Sequence, residues 1–107
     1  MSRSRASTDV FQAVADPTRR AILDLLLLGE QPVGSIASRF AVSLSAVSQH
    51  IKVLRDAGLV KVRHAGRERF YRLNAAPLHD VYAWASHYEA FWREKLESLT
   101  RYLEENE

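Results

Sequence analysis

The sequence of 107 residues contains no cysteine. This absence excludes a disulfide framework, a thiolate zinc site, an iron–sulfur cluster and a catalytic thiol. The most apolar stretch, residues 21–28, is interrupted by Asp24 and is much shorter than the roughly 18 residues that a membrane span needs. The glycines form neither a G-x-G-x-x-G fingerprint nor a P-loop, and no Ser/His/Asp set has the context of a catalytic triad. We therefore expect no membrane span, no enzyme activity and no cofactor.

The length of the chain fits one domain. Hydrophobic residues make up 47% and charged residues 26%, which is typical of a folded protein. A domain this small is only marginally stable alone, so oligomerisation is a further expectation. The first residues are rich in serine and arginine and have no apolar periodicity. This predicts a flexible arm at residues 1–7 and a single domain at residues 8–107.

The net charge of +2 hides a segregation along the chain. Residues 1–73 contain twelve Lys/Arg against six Asp/Glu, a net +6, whereas residues 74–107 contain three against seven, a net −4. The basic part is the candidate surface for a polyanion. Its densest cluster is Lys61, Arg63, Arg67, Arg69 and Arg72.

Two helices are predicted before residue 30. Thr8 or Asp9 can cap a short helix that carries Phe11 and Val14. Asp16-Pro17 is typical of an N-cap followed by proline at the first helical position, and predicts a second helix from Pro17 to about Leu28. That helix is apolar on nearly all sides, so we expect it at the centre of the domain, with Gly29 ending it.

The next segment has the pattern of a helix-turn-helix. A helix of about two turns is predicted from apolar residues at i, i+3, i+4 and i+7, namely Val33, Ile36, Ala37 and Phe40. After a tight turn, Ser43 can cap a second helix, the predicted reading helix at residues 43–57, which Gly58 ends. Its inward sector is predicted to contain Leu44, Val47, Ile51 and Leu54. In this motif the second helix enters the DNA major groove.

Two β-branched and aromatic runs follow at residues 59–64 and 69–73, separated by a turn at residues 65–67. They predict a β-hairpin wing over residues 59–73. From Pro77 to about Glu104 the apolar residues recur every 3.6 positions or so, which predicts one helix of roughly 40 Å. The predicted fold is mainly α-helical with a β-hairpin wing, a winged helix-turn-helix.

The outward face of the reading helix is small, polar and basic. Gln can pair with adenine, Ser can bond bases or phosphates, Ala can contact thymine methyls and Lys can reach phosphate or guanine. Taken alone, this face is equally typical of an ordinary solvated surface, but it coincides here with a capped helix, a tight turn and a basic hairpin. The predicted DNA-binding residues on the helix are Ser43, Ser45, Ala46, Ser48, Gln49, His50 and Lys52, where His50 lies towards the apolar edge and either packs or contacts phosphate. Those on the wing are Arg63, His64, Arg67 and Arg69, with Arg67 at the tip.

Three segments, residues 15–23, 42–60 and 66–73, resemble the ArsR family of bacterial transcriptional regulators, and the resemblance extends over about residues 9–104. It implies a cytoplasmic, homodimeric winged-helix repressor whose first and last helices form the dimer interface. It also implies that Ser45, Ser48, Gln49, His50 and Arg67 contact double-stranded DNA. The predicted interface residues are Phe11, Val14, Tyr88, Trp92, Leu96, Leu99, Tyr102 and Leu103.

The chain departs from the metal-sensing members that it resembles. It has no cysteine for arsenic or cadmium, and Tyr82 and Ala90 occupy positions where zinc and nickel sensors have ligands. We expect no metal site, although a weak site across the dimer using His79, Asp80 or His87 is an alternative. A second alternative is a winged helix that binds proteins and whose basic face is merely solvated. An inducer, either a small molecule or a protein, is compatible with the sequence but is not identified by it.

Overall fold

The computed structural model of the chain describes residues 9–106, so the predicted arm at residues 1–7 lies outside the described part. Six helices in this part are α1 (Val10–Ala13), α2 (Pro17–Leu26), α3 (Val33–Ala37), α4 (Leu44–Asp56), α5 (Leu78–Ser86) and α6 (Glu89–Glu105). Three strands are β1 (Gln31–Pro32), β2 (Val60–Ala65) and β3 (Glu68–Leu73). This is the predicted winged helix-turn-helix. No helix among residues 9–106 is both long enough and apolar enough to cross a membrane.

The predicted caps of the first two helices are confirmed. The Asp9 carboxylate accepts a hydrogen bond from the Gln12 amide at 2.8 Å, and the Asp16 carboxylate accepts one from the Arg19 amide at 3.0 Å. Each bond satisfies an amide that has no partner within the helix. Pro17 occupies the start of α2, where its missing N–H has no cost.

Helix α2 lies in the core, but only on one side. It ends at Leu26, two residues earlier than predicted, and the next residue, Leu27, is 70% exposed. The predicted place at the centre of the domain is confirmed for Ile22, Leu23, Leu25 and Leu26, but not for Leu27. The buried core of the described residues consists of Val10, Ala13, Ile22, Leu23, Leu25, Leu26, Ile36, Val47, Ile51, Leu54, Leu59, Val60 and Tyr71.

The helix-turn-helix differs from prediction at two points. Helix α3 spans only the five residues Val33–Ala37, so Phe40, the last residue of the predicted pattern, lies outside it. Leu44, predicted to point inward, is 56% exposed, whereas Val47, Ile51 and Leu54 are buried as predicted. The first turn of α4 thus extends beyond the core, and the helix packs inward only from Val47 onward.

A glycine turn sets the position of the wing relative to α4. Gly58 has φ of +80°, and the Leu59 and Gly58 amides donate to the Leu54 and Arg55 carbonyls, each at 2.9 Å. These are the two hydrogen bonds of a Schellman motif, and the accompanying apolar contact is between Leu54 and Leu59, both fully buried. The Asn74 side chain then donates to the Gly58 carbonyl at 2.7 Å. The end of β3 is thereby joined to the end of α4.

The sheet is antiparallel with the order β1-β3-β2. Strand β1 was not predicted, because two residues are too short to show any periodicity. It pairs Gln31 with Tyr71 and Pro32 with Phe70. The wing turn is the two-residue loop Gly66-Arg67, one residue shorter than predicted, with Gly66 at φ of +63°.

The single helix predicted over residues 77–104 is wrong, because a turn at His87 and Tyr88 divides it into α5 and α6. The Ser86 hydroxyl donates to the Ala83 carbonyl at 2.7 Å, a local bond that competes with helical geometry. The mean apolar spacing is the same on both sides of the turn, so periodicity did not reveal it. Helix α6 buries no residue, and the Cα radius of gyration is 18.0 Å, against about 13 Å for a compact chain of this length.

Candidate nucleic-acid interface

Helix α4 presents the predicted polar residues on its outer face. Ser45, Ser48, Gln49 and Lys52 are exposed, and Ala46 is half-buried. The Ser43 hydroxyl oxygen accepts a hydrogen bond from the Ala46 amide at 3.0 Å, so Ser43 acts as the N-cap. The Lys52 ammonium lies 3.1 Å from the Asp56 carboxylate, in an exposed pair that a competing anion can displace.

An open cleft of about 460 Å³ separates this face from strand β3. It is lined by Ser45, Ser48, Gln49, Ile51, Lys52, Arg55, Arg69 and Tyr71. A second cleft, of about 420 Å³, lies between α3 and the wing tip and is lined in part by Ser48, Arg67 and Arg69. Ser48 and Arg69 therefore border both clefts. Arg55 was missed by the sequence analysis, although its spacing from Ser48 and Lys52 continues the same helical face.

The strand register divides the basic wing residues between two faces. His64 lies opposite Arg69 across the hairpin, and both share a face with the pair of partly buried Val62 and buried Tyr71, which faces α4. Arg63 lies opposite Phe70 on the other face. Because successive side chains of a strand alternate between faces, the predicted cluster is not a single patch. Lys61 and Arg72 form the next pair on the Arg63 face.

Arg63 is held by an acidic residue from the loop before β1. Its Nη2 and Nε atoms donate to the two carboxylate oxygens of Glu30 at 2.7 and 3.0 Å, and its guanidinium lies 4.9 Å from the centroid of the Phe70 ring. Hydrogen bonds from Arg63 hold the pKa of Glu30 below its usual value, and the charges of Arg63 and Arg72 act in the same direction. The same pairing raises the pKa of Arg63. The predicted DNA contact at Arg63 is thus an arginine with an internal partner.

His50 packs against the start of α2 rather than projecting into the cleft. Its side chain is 22% exposed, and its Nδ1 lies 3.3 Å from a guanidinium nitrogen of Arg19 and 4.0 Å from the Asp16 carboxylate. Arg19 also donates to the Ala13 carbonyl at 2.8 Å and the Gln12 carbonyl at 3.1 Å, at the end of α1. The backbone hydrogen bond from Arg19 lowers the pKa of Asp16, and the nearby charge of Arg19 lowers it further.

The predicted interface residues of α5 and α6 lie on an exposed aromatic and aliphatic surface. Phe11 contacts Trp84 edge to face at 6.1 Å between ring centroids, and Trp84 contacts Tyr88 at 5.7 Å. Beyond them, the exposed large hydrophobic residues of α6 are Phe91, Trp92, Leu96, Leu99, Tyr102 and Leu103. Val14 differs from the rest, because it is partly buried against its own core.

The segment that contains the helix-turn-helix matches a known protein family. Residues 16–62 match the model of the family described as bacterial regulatory protein, arsR family. The chain is 39% identical over 104 residues to the HTH-type transcriptional regulator Rv2034 of Mycobacterium tuberculosis, covering 97% of this chain and 94% of that protein. The chain belongs to the arsR family. It is a transcriptional regulator with a winged helix-turn-helix fold.

Two further relatives of this arsR-family chain bear on its function. The transcriptional repressor SdpR of Bacillus subtilis is 40% identical over 76 residues, which cover 71% of this chain and 84% of SdpR. A solved structure, the homodimeric winged helix-turn-helix DNA-binding domain Mb0332 of Mycobacterium bovis, aligns with a TM-score of 0.61 at 31% identity, covering 76% of this chain and 75% of that one.

The metal alternative depends on His79, Asp80 and His87 of this arsR-family chain. His79 and Asp80 lie on α5, and His87 lies in the turn that follows it. Within residues 9–106, no three His, Asp or Glu side chains come close enough to form a metal site. A site of this kind would need ligands from two chains.

Proposed function

We propose that this arsR-family regulator binds duplex DNA as a homodimer and represses transcription from the promoters that it occupies. The observation that carries the proposal is the position of the wing beside α4, which brings Arg69 into one open cleft with Ser45, Ser48 and Gln49. This arrangement fits a docking geometry in which the helix enters the DNA major groove and the basic hairpin contacts the adjacent DNA backbone.

Different residues of this surface suit different parts of DNA. Gln49 is exposed and carries an amide that can pair with adenine N6 and N7, and the hydroxyls of Ser45 and Ser48 suit bases or phosphates. Arg67 at the wing tip suits the backbone or the minor groove. Further positive or donor groups for phosphates are supplied by Lys52, Arg55, His64 and Arg69. His50 supports the face from behind through Arg19.

The homodimer is supported by the exposed surface of α5 and α6. Residues such as Leu96, Leu99 and Leu103 are 53–63% exposed, and removing such an apolar stripe from water favours association. Mb0332, a relative with the same fold, is a homodimer. A two-fold axis would separate two copies of α4 by about one DNA turn, 34–36 Å, so the operator should be an imperfect palindrome.

Repression is supported by the relationship to SdpR, which is named as a repressor. A protein bound over a promoter can block polymerase without needing a further activity. We propose no catalysis and no cofactor. Release from DNA would then require an inducer, a small molecule or a protein, acting on the dimer.

The test begins with genomic DNA fragments selected by the purified protein. Fluorescence anisotropy of a selected duplex at several salt concentrations should show an affinity that falls steeply as salt rises, because neutralised phosphates release counterions. The full palindrome should bind more tightly than either half-site. A promoter–reporter fusion should be less active when the protein is present.

Three outcomes would contradict the proposal. A shallow salt dependence with no selected sequence would favour the protein-binding winged helix. Equal affinity for the full palindrome and for a half-site would contradict binding of the operator by a homodimer. A reporter that becomes more active would mean that the protein activates the promoter.

A further inference from the structure

The wing requires support, because its outer part is only a two-stranded hairpin. Strand β1 pairs with β3 at Tyr71 and Phe70 and extends no further, so the sheet has three strands only up to that level. Beyond the Arg63–Phe70 pair, the hairpin continues through His64–Arg69 to the tip as two strands. A two-stranded hairpin is marginally stable in water. Arg67 and Arg69, which the proposed function needs, lie in this outer part.

The Glu30–Arg63 ion pair crosses the three-stranded part of the sheet, next to the start of the two-stranded hairpin. Glu30 immediately precedes β1, and Arg63 is in β2, on the far side of β3. The bidentate hydrogen bonds of 2.7 and 3.0 Å therefore run across β3, from the residue before β1 to Arg63, which pairs with Phe70. The Phe70 ring lies under the guanidinium at 4.9 Å and limits its rotation.

The geometry of Arg63 is unfavourable for contact with DNA. Its Nε–Nη2 edge, the edge that would grip a phosphate in bidentate fashion, is occupied by Glu30. The strand register also directs it to the face opposite Arg69 and the α4 cleft. Lys61 and Arg72 share its face, and Glu30 is the acidic residue that pairs with it there.

We infer that Glu30 and Arg63 are positioning residues, which hold the wing at the angle that brings Arg67 and Arg69 to the DNA backbone. The inference rests on the proposed function and assigns to Arg63 a role other than phosphate contact. It also assigns a supporting role in DNA binding to Glu30, an acidic residue. Negative charge near a DNA-binding surface normally weakens binding. If Glu30 only repels DNA, its neutralisation should raise DNA affinity. If Glu30 positions the wing, its neutralisation should lower DNA affinity.

The first experiment measures operator affinity of the full chain for Glu30→Gln, Arg63→Gln and the double variant. We expect each single variant to weaken binding by about two- to fivefold, the range of an exposed ion pair, and the double variant to be no weaker than either single one. The exchanged pair, Glu30→Arg with Arg63→Glu, should recover part of the affinity. We call the Glu30–Arg63 ion pair the tether. Glu68→Gln is the matched control, because it removes a wing carboxylate outside the tether and should leave affinity equal or higher.

The salt dependence distinguishes positioning from phosphate contact. Arg63→Gln should leave the slope of log affinity against log salt unchanged, whereas Arg67→Gln should reduce it by about one. A slope that falls by about one in Arg63→Gln, or an affinity that rises in Glu30→Gln, would overturn the inference.

Amide hydrogen exchange of the free protein tests the tether without DNA. The ladder amides between His64 and Arg69 should exchange faster in Glu30→Gln and Arg63→Gln than in the wild type, and at the wild-type rate in Glu68→Gln. Unchanged exchange in both tether variants would overturn the inference. A wild-type protein that selects no DNA would instead contradict the proposed function and leave the exchange result to decide the tether.

Discussion

Nδ1 of His50 on α4 lies 3.3 Å from a guanidinium nitrogen of Arg19 on α2. A guanidinium group can only donate hydrogen bonds, so this contact requires Nδ1 to accept and the ring proton to be on Nε2. The other nitrogens of Arg19 donate to the Gln12 and Ala13 carbonyls. One side chain thus joins the end of α1, which carries Phe11 beside the proposed dimer surface, to the helix proposed to read DNA.

Replacement of Arg19 is expected to lower the stability of the folded protein. Arg19→Ala removes two bonds to the end of α1 and the contact with His50, and we expect it to reduce the free energy of unfolding by about 1–2 kcal/mol. Denaturant unfolding measures this loss. Arg39→Ala, which removes an exposed arginine elsewhere, is the control and should change stability by less than about 0.5 kcal/mol. Equal stabilities of the two variants would show that the Arg19 contacts contribute nothing.

Gln49→Ala and Arg67→Ala are expected to impair DNA binding differently. Loss of a bidentate base contact at Gln49 should cost about 1–3 kcal/mol and relax the preference at particular base pairs. Arg67→Ala should weaken binding to all sequences and reduce the salt slope. Competition binding with single-base operator variants separates the two effects. The assignment of Gln49 fails if its variant keeps both wild-type affinity and wild-type base preference.

Leu99→Glu is expected to disrupt the dimer. Leu99 is 53% exposed on α6, and if two copies meet across a two-fold axis, the substitution brings two like charges together at a cost on the order of several kcal/mol. Analytical ultracentrifugation should detect a monomer, and operator binding should be lost. Arg101→Gln changes the charge by the same amount on another side of α6 and should leave the dimer intact. A dimeric Leu99→Glu variant with wild-type affinity would exclude this interface.

The Asp16 cap is expected to make stability depend on pH. Its pKa is lowered from the usual 3.8, so the charged carboxylate stabilises the folded state above that pH and loses its effect as pH falls through the lowered value. Asparagine also caps helices, so Asp16→Asn isolates the charge. The wild type should have the higher Tm at pH 7, and the difference should shrink below pH 3.8. A difference independent of pH would contradict a role for the charge.

Zinc, nickel and cadmium at stoichiometric levels are expected to leave operator affinity unchanged. The positions that could complete a ligand set on the last helices are Tyr82 and Ala90, and the chain has no thiolate. Isothermal titration is the measurement. Submicromolar zinc binding that disappears in His87→Ala would establish the site across the dimer.

Features that depend on near neighbours along the chain could be predicted from the sequence. Asp16, Ser43 and Gly58 set helix ends through bonds that span at most five residues, and the apolar spacing of α4 identified both its buried side and its exposed polar side. For this reason the reading helix, the wing and most of the candidate DNA-binding residues could be predicted. The two-residue strand β1 and the turn at residues 87–88 could not be predicted, because neither leaves a periodic signal in the sequence.

Which of those residues act together depends on contacts between distant parts of the chain. Arg63 and Glu30 are 33 positions apart, and Arg19 and His50 are 31 apart, so neither pair leaves a local pattern. Strand register placed Arg69 towards α4 and Arg63 away from it, although both belong to one basic cluster in the sequence. The physical reason is that a hydrogen bond between distant residues depends on how whole elements pack, and packing is set by the buried core rather than by the charged side chains that it brings together.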